Sequence, residues 1–277
     1  MNPIALIPLS IRRTLGGRWD HRVAARQKRQ LLRRLRGHAV ACNVCQWEGA
    51  RFSDDFWHPE TICPNCLSQV RHRMLVAVLD GKTLIDTPGE AILLVGKDVL
   101  HFAPERQLRE RIRSTAARHV TADFDRGDCD LRLDLSAMPE VSDGSFDTLI
   151  ACDVLEHVSD DTAAFQEIFR VLKPGGFGIL TVPQRDSPAS TEEDPGVTTE
   201  NERQRRFGQK DHVRMYGDDF SDRVAAAGLT VRTIDQTAFA PETVSRHVLY
   251  PPQPNSNPLA TNQRRLYLAQ KPSDSGQ

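Results

Sequence analysis

SFDTLIACDVLEH, residues 145–157, is the stretch that decides the fold predicted for this chain. Its first half, Phe146–Cys152, is a mainly apolar run of strand length. Residues 162–172 place apolar side chains on one face of a helix, and Lys173-Pro174-Gly175-Gly176 ends that helix, as a cation, a proline and glycines usually do. A second apolar strand over 177–182 completes a strand–helix–strand unit.

Strands and helices alternate on both sides of this unit. Such alternation is typical of a parallel sheet covered on both faces by helices. The sequence therefore predicts an α/β fold with a Rossmann-like, doubly wound, mostly parallel sheet. The other predicted strands are 98–102, 119–123, 131–135, 230–234 and 265–269, the other helices are 11–36, 69–80, 104–112 and 220–227, and 187–206 is predicted to be an irregular polar loop.

Residues 98–183 contain a series of short motifs in a fixed order: Asp134-Leu135, Met138-Pro139, Ser145-Phe146-Asp147, Leu155-Glu156-His157 and Leu172-Lys173-Pro174-Gly175-Gly176. None of the motifs is diagnostic alone, but their order and spacing resemble the class I S-adenosylmethionine-dependent methyltransferases, in the type 11-like branch. The resemblance implies that the chain binds S-adenosylmethionine and transfers its methyl group to an acceptor, for which we expect a small molecule, a saccharide or a lipid-linked compound.

The loop after the first strand departs from that superfamily. The usual loop is acidic-x-Gly-x-Gly, whose glycines let the backbone approach the cofactor. Here the loop contains no glycine and is similar to a methyltransferase subset with an HxAPE loop, so cofactor binding is still implied. The alternative is a non-catalytic binding protein on a degenerate fold. The loop residues implied in cofactor binding are His101, Phe102, Ala103, Pro104 and Glu105.

Further cofactor contacts are implied by position. Asp123 ends the second strand 20 residues after Ala103, where an acid accepts hydrogen bonds from ribose hydroxyls, with Asp125 as a reserve. The resemblance places Asp134, followed by Leu135, near the adenine, and the stretch from Asp153 to His157 beside the methionine end of the cofactor. Asp123 and Asp134 could instead be turn or capping residues, and Glu156 and His157 could be helix-start residues that only pack.

The stretch Phe207–Gly217 contains Gly208–Arg214, which resembles a GQxDHxR segment of the same branch that commonly covers the acceptor pocket. His212 is the candidate proton acceptor, since an imidazole can take a proton near neutral pH. Asp211 would orient His212 or contact the acceptor. The alternative is a structural turn held by Asp211 and Arg214.

Four of the six cysteines form two CxxC pairs separated by seventeen residues. This spacing matches a zinc ribbon, in which two knuckles supply four thiolates to one ion. Such a closed site is structural, because no coordination position is left open for catalysis. The alternatives are a pair of disulfides or unrelated core thiols. The ligands are predicted to be Cys42, Cys45, Cys63 and Cys66.

The net charge of −1 hides an asymmetry, because residues 1–41 hold ten basic residues and one acid. A basic arm on an acidic body can bind nucleic acid, so a zinc-ribbon ribosomal RNA methyltransferase is the second functional hypothesis. The arm could equally be a solvated helix. We predict a basic helical arm over 1–40, a zinc-ribbon-like module with a linker helix over 41–80, a class I methyltransferase domain over 85–271 and a disordered tail over 272–277.

The N-terminal sequence has no basic region before its short apolar stretch, so we expect no secretory signal and a cytoplasmic protein. No apolar run approaches the ~20 residues that span a bilayer, so we expect no transmembrane segment.

Overall fold

The computed structural model describes residues 19–186 and 190–273, with side chains from residue 24. The first eighteen residues of the predicted arm and residues 274–277 of the predicted tail lie outside this part. The helices are α1 Trp19–Arg34, α2 Val70–Leu79, α3 Glu90–Leu93, α4 Arg106–Thr115, α5 Asp161–Val171, α6 Glu200–Phe207, α7 Phe220–Ala225 and α8 Pro241–His247. The strands are β1 Val40–Ala41, β2 Glu48–Gly49, β3 Asp98–Phe102, β4 Arg118–Asp123, β5 Leu131–Arg132, β6 Phe146–Cys152, β7 Leu172–Thr181, β8 Glu192–Glu193, β9 Arg214–Met215, β10 Thr230–Ile234 and β11 Leu266–Gln270.

A seven-stranded sheet in the order β10-β11-β7-β6-β3-β4-β5 organises the fold. Its strands β5, β4, β3, β6 and β7 are parallel, and β11 runs antiparallel to both β7 and β10. The predicted mostly parallel sheet is confirmed. The chain starts in the middle at β3, builds outward to β5, and returns to the other side of β3 with β6. The strand order therefore reverses between β3 and β6.

Both faces of the sheet are covered. Helices α5 and α7 pack on one face with Phe165, Ile168 and Val224, while α2 and α4 pack on the other. Every residue of α2 except Arg71 is buried. The apolar spacing over residues 69–80 predicts an amphipathic helix with one exposed face, which is wrong: a helix buried nearly all round is a core helix. Here α2 lies between the sheet and residues 40–67, which hold the four CxxC cysteines and which we call the cysteine module.

Some element boundaries differ from the prediction. Strand β5 covers only Leu131–Arg132, and β7 begins at Leu172, so the Lys-Pro-Gly-Gly sequence lies inside the strand. Helix α4 begins at Arg106 rather than at Pro104, with Glu105 as its N-cap. The described part of the predicted irregular loop contains β8 and α6, and the Thr199 side chain accepts a hydrogen bond from the N–H of Glu202 to cap α6.

A fully buried arginine joins the cysteine module to the sheet domain. The guanidinium of Arg73 donates hydrogen bonds to four backbone carbonyls and lies 4.4 Å from the centre of the Phe52 ring. Two of these carbonyls belong to the module and its edge and two to the end of α8, so one side chain fixes both parts. The acceptors are the carbonyls of Thr61, Ser68, His247 and Val248.

We expect Arg73→Met to lower the free energy of unfolding by on the order of 3–5 kcal/mol, because four buried carbonyls lose their donor. Urea unfolding followed by circular dichroism measures the change. The control is Arg113→Met, which removes an exposed pair with Glu110 and is expected to change stability by under ~0.5 kcal/mol. Equal stability of the two variants would contradict this role of Arg73.

Candidate functional site

The strand-order reversal places the carboxyl ends of β3 and β6 side by side. In open α/β sheets the crevice outside such a reversal is where ligands bind. Ala103 follows β3 with φ +45°, and Asp153 follows β6 with φ +51°. Residues other than glycine rarely adopt this left-handed conformation, and such local strain is concentrated at functional sites. The backbone therefore turns sharply at both strand ends that border the crevice.

Arg71 connects the two strand ends. Its Nη2 donates to Oε1 of Glu105 at 2.7 Å, and its Nη1 lies 3.2 Å from Oδ2 of Asp153. His72 Nε2 also donates to Glu105 Oε1 at 2.7 Å. Burial opposes ionisation of both carboxyls, but Arg71 beside Glu105, and Arg264 with Arg71 beside Asp153, keep both pKa values below their ordinary values. The start of α2 thus holds two carboxylates at the crevice.

The second oxygen of Glu105 stands out in this network. Glu105 Oε2 is buried and has no hydrogen-bond partner among the described residues. A buried carboxylate oxygen without a donor is costly, so a ligand that donates a hydrogen bond would be stabilised there.

Two cavities meet at Arg71. The loop cavity, of about 490 Å³, is lined by the start of α2, by Ala103–Gln107 and by Arg126 and Asp128. The second cavity, of about 370 Å³, is lined by Asp153 and by His157 and His212, and we call it the histidine cavity. Gln69 and Arg71 line both cavities, so a ligand at the crevice can extend from one to the other. The histidine cavity is walled by the module, by the segment after α6 and by the loop before β11: its lining includes Trp57, His157, His212, Pro251 and Arg264.

The predicted cofactor residues fall into two groups. Ala103, Pro104 and Glu105 line the loop cavity, and Asp153 lines the histidine cavity. Asp123 lines neither cavity: it ends β4, where its Oδ1 accepts hydrogen bonds from the N–H groups of Asp125 and of Arg126, and Arg126 does line the loop cavity.

The other predicted cofactor residues line neither of these cavities. The side chains of Phe102 and Leu135 lie in the core. Asp134 is exposed, and its Oδ1 accepts hydrogen bonds from Ser136. His101 is fully buried on β3, with Nδ1 3.3 Å from His119 Nε2. Any cofactor contact of His101 would come from its backbone.

The two predicted catalytic residues are separated by burial. His212 is buried in the wall of the histidine cavity, whereas the Asp211 side chain is 60% exposed and its Oδ2 lies 3.6 Å from His157 Nδ1. Arg214 is buried and donates to the carbonyls of Leu155, Val158 and Ser159. Arg214 therefore holds this segment against the turn after β6.

Sequence reasoning left out Arg71 and Arg264, which the structure places at the crevice. It placed Glu156 within the stretch beside the methionine end of the cofactor but gave this residue no chemical role of its own. Arg71 and Arg264 are 193 residues apart, and nothing in their local sequence indicates that both contact Asp153.

The four CxxC cysteines converge in space. The Sγ atoms of Cys42 and Cys66, and those of Cys45 and Cys63, are each 3.7 Å apart, and all four lie within 4.8 Å of one another. A zinc tetrahedron with Zn–S bonds of ~2.3 Å has edges of about 3.8 Å, so the donor set fits this ion. Asn65 Nδ2 donates to Cys45 Sγ at 3.3 Å.

The two knuckles have the same backbone pattern. The N–H of Gln46 donates to the carbonyl of Cys42, and that of Leu67 to the carbonyl of Cys63. Gln46 and Leu67, which follow the second cysteine of each pair, both have positive φ. Equivalent turns thus aim both pairs at one point.

Comparisons with known proteins agree with part of this description. Residues 91–180 match the family described as "Methyltransferase domain", which bears out the resemblance found within residues 98–183. No curated protein matches the chain.

Three similar solved structures are all distant. An S-adenosylmethionine-dependent methyltransferase from Mesorhizobium loti is 14% identical, with a TM-score of 0.45 over 65% of this chain and 94% of its own. The Burkholderia thailandensis 1,6-didemethyltoxoflavin-N1-methyltransferase is 15% identical, with a TM-score of 0.44 over 74% and 88%. The [4+2]-cyclase SpnF is 16% identical, with a TM-score of 0.48 over 73% and 82%. At these values none of them indicates what this chain binds or catalyses.

Across the described residues, every helix is too short or too polar to cross a lipid bilayer.

We expect His101 to make stability depend on pH, because burial and the neighbouring His119 lower its pKa to about 3. The unfolded chain binds this proton below about pH 6.5, so the contribution is complete above pH 6.5 and is lost as the pH falls toward 3. Within this window, His101 should lower the free energy of unfolding by up to about 1.4 kcal/mol for each unit by which the pH falls. His101→Leu should remove this part of the pH dependence in urea unfolding between pH 6.5 and 4.

The control is His38→Leu, since the His38 side chain is 87% exposed. Parallel stability curves for His101→Leu and the wild type would contradict the prediction.

Proposed function

We propose that this protein transfers the methyl group of S-adenosylmethionine to a nucleophilic atom of a small-molecule, saccharide or lipid-linked acceptor. The observation that carries the proposal is the crevice at the strand-order reversal of the sheet. Two cavities adjoin there at Arg71. A donor in one cavity and an acceptor in the other would meet there. Alignment of two reactants in this way can itself supply several kcal/mol of catalysis.

The cofactor fits the loop cavity by the chemistry of its walls. Glu105 Oε2 would accept a hydrogen bond from the amino group of the methionine part. Asp123 is not itself a wall of this cavity but accepts a hydrogen bond from the backbone N–H of Arg126, which is, and it would accept hydrogen bonds from the ribose hydroxyls. Ala103 already has the left-handed conformation that a glycine would adopt in the loop. The loop backbone can therefore follow the same path without a glycine. The bound cofactor supplies a sulfonium whose methyl group is electrophilic.

The histidine cavity would take the acceptor. Asp153 lies between the cavities, and Arg264 and Thr181 fix its carboxylate. His212 presents Nε2 without a protein partner among the described residues, a state in which an imidazole can accept a proton or bind a cation. Asp211, predicted as a catalytic partner, would act only through His157.

We also propose that the four cysteines hold one structural zinc ion. The charge of the buried Arg73 lies close to them and favours their thiolate forms. Because the module supplies a wall of the histidine cavity through Asp55–Thr61, the ion would stabilise the acceptor side as well. Nucleic-acid binding by the arm stays a prediction, since residues 1–18 lie outside the described part.

We expect Asp123→Asn to weaken S-adenosylhomocysteine binding by on the order of 1.5–3 kcal/mol, because one charge-assisted ribose contact is lost. Asparagine keeps an oxygen for the N–H groups of Asp125 and Arg126, so the turn should survive. Isothermal titration calorimetry measures the affinity, and a rise in the melting temperature of the wild type with ligand checks it independently.

The comparison variant is Asp125→Asn, which changes the reserve candidate at the same turn and is three-quarters exposed. It should keep wild-type affinity, and a loss there with normal binding by Asp123→Asn would assign the ribose contact to Asp125 instead. A wild type that shows neither binding heat nor a melting shift would refute cofactor binding and favour the degenerate, non-catalytic protein.

We expect Cys63→Ser to lower zinc content from about one ion per chain and to destabilise the module, because metal binding supplies folding free energy. Mass-spectrometric metal analysis and thermal unfolding measure the two effects. Cys129→Ser is the control, since Cys129 lies outside the cluster. A wild type that folds fully without metal would contradict the proposal.

A further inference from the structure

We propose that Glu156, His157 and His212 form a second metal site, which binds one first-row divalent cation in the wall of the histidine cavity. The inference that this cation serves the acceptor rests on the proposed function, whereas the site itself rests on geometry alone.

The three donor atoms converge on one point. Glu156 Oε1 lies 3.8 Å from His157 Nε2 and 3.9 Å from His212 Nε2, and the three ligand atoms lie within 4.8 Å of one another. A cation with ~2.1 Å bonds to nitrogen and oxygen needs ligand separations of roughly 3.0–3.4 Å. Shifts of about half an ångström would bring the two separations from Glu156 Oε1 into this range.

Both histidines direct Nε2 inward because their other ring nitrogens face oxygens. His212 Nδ1 lies 2.8 Å from the carbonyl oxygen of Phe207, so Nδ1 carries the proton and Nε2 has a free lone pair. His157 Nδ1 lies 3.4 Å from the carbonyl oxygen of Asp211. Metal-binding histidines characteristically donate their second N–H to a carbonyl or carboxylate in this way. Asp211 therefore becomes a positioning residue for His157.

The protein leaves two of these polar groups without partners. Glu156 is 1% exposed and His212 is 2% exposed, yet Glu156 Oε2 and His212 Nε2 have no hydrogen-bond partner among the described residues. Burying a carboxylate and an imidazole unpaired would cost several kcal/mol, roughly. A cation bound to His212 Nε2 and to the Glu156 carboxylate, through Oε1 alone or through both oxygens, would give the imidazole a partner and balance the carboxylate charge.

The donor set indicates the kind of metal. Two imidazoles and one carboxylate suit Zn²⁺ or Fe²⁺, whereas Mg²⁺ and Ca²⁺ prefer oxygen ligands. Three protein ligands leave at least one position open, in contrast to the closed four-cysteine site. All three residues line the histidine cavity, so the open position faces the space assigned to the acceptor.

An open cation position in the acceptor cavity favours an acceptor that can bind the metal and lose a proton there, such as a hydroxyl group. The cation would lower the pKa of that hydroxyl, whose proton leaves to solvent. The C–O bond then forms as the sulfonium S–C bond breaks, and the sulfonium becomes a neutral thioether. His212 would act here as a ligand rather than as the proton acceptor predicted from the sequence.

Calorimetric titration of the full-length protein with ZnCl₂ tests the site, after metal analysis of the starting sample. We expect the wild type to bind one further equivalent beyond the cysteine-bound ion. Glu156→Gln and His157→Gln should each weaken that binding by at least about tenfold. The first substitution preserves the shape of the Glu156 side chain, and His157 is partly exposed, so both variants should keep the wild-type circular dichroism spectrum.

His58→Gln and His38→Gln are the matched controls. His58 lines the same cavity but bonds to Asn262, and His38 lies outside it. Both controls should bind the further equivalent with wild-type affinity. Absence of that equivalent in the wild type, or equal binding by Glu156→Gln, would overturn the metal site.

Titration of the same samples with S-adenosylhomocysteine separates the two proposals. Zinc binding without cofactor binding would overturn the methyltransferase proposal and leave the cation site standing. Cofactor binding without the second zinc would overturn the cation site and leave the methyltransferase proposal standing.

Discussion

The contact of Arg71 with Glu105 and Asp153 is the interaction on which the functional part of this structure depends. One guanidinium joins the loop after β3, the turn after β6 and the first turn of the core helix α2. Without this cation, two carboxylates would face each other at the strand-order reversal in a buried setting, where like charges repel strongly. The ion network therefore fixes both strand ends and the boundary between the two cavities.

The cysteine module contributes to the same crevice. It is joined to the sheet domain by Arg73, whose buried charge is satisfied by carbonyls from both parts. Its Asp55–Thr61 segment forms one wall of the histidine cavity. A metal that stabilises the module would consequently also shape the space available to an acceptor. Structural and chemical roles are coupled here through packing rather than through direct contact between the ion and a substrate.

The histidine cavity combines segments that are far apart in sequence. Residues from the module, from the turn after β6, from the segment after α6 and from the loop before β11 meet in it. Arg214 holds the segment after α6 against the turn after β6. As a result, His212 lies beside Glu156 and His157. The buried, unpartnered atoms of Glu156 and His212 are produced by this packing.

The sequence by itself determined the sheet class, most element positions and the four-cysteine cluster, because these follow from hydrophobic periodicity and short-range spacing. It misjudged α2, since local periodicity cannot show that a helix lies between a sheet and a module. Residues such as Arg71, Arg264 and Glu156 gain their significance only from partners that are near in space. Tertiary structure alone decided these contacts, because buried charges are paired by whichever segments the folded chain brings within a few ångströms.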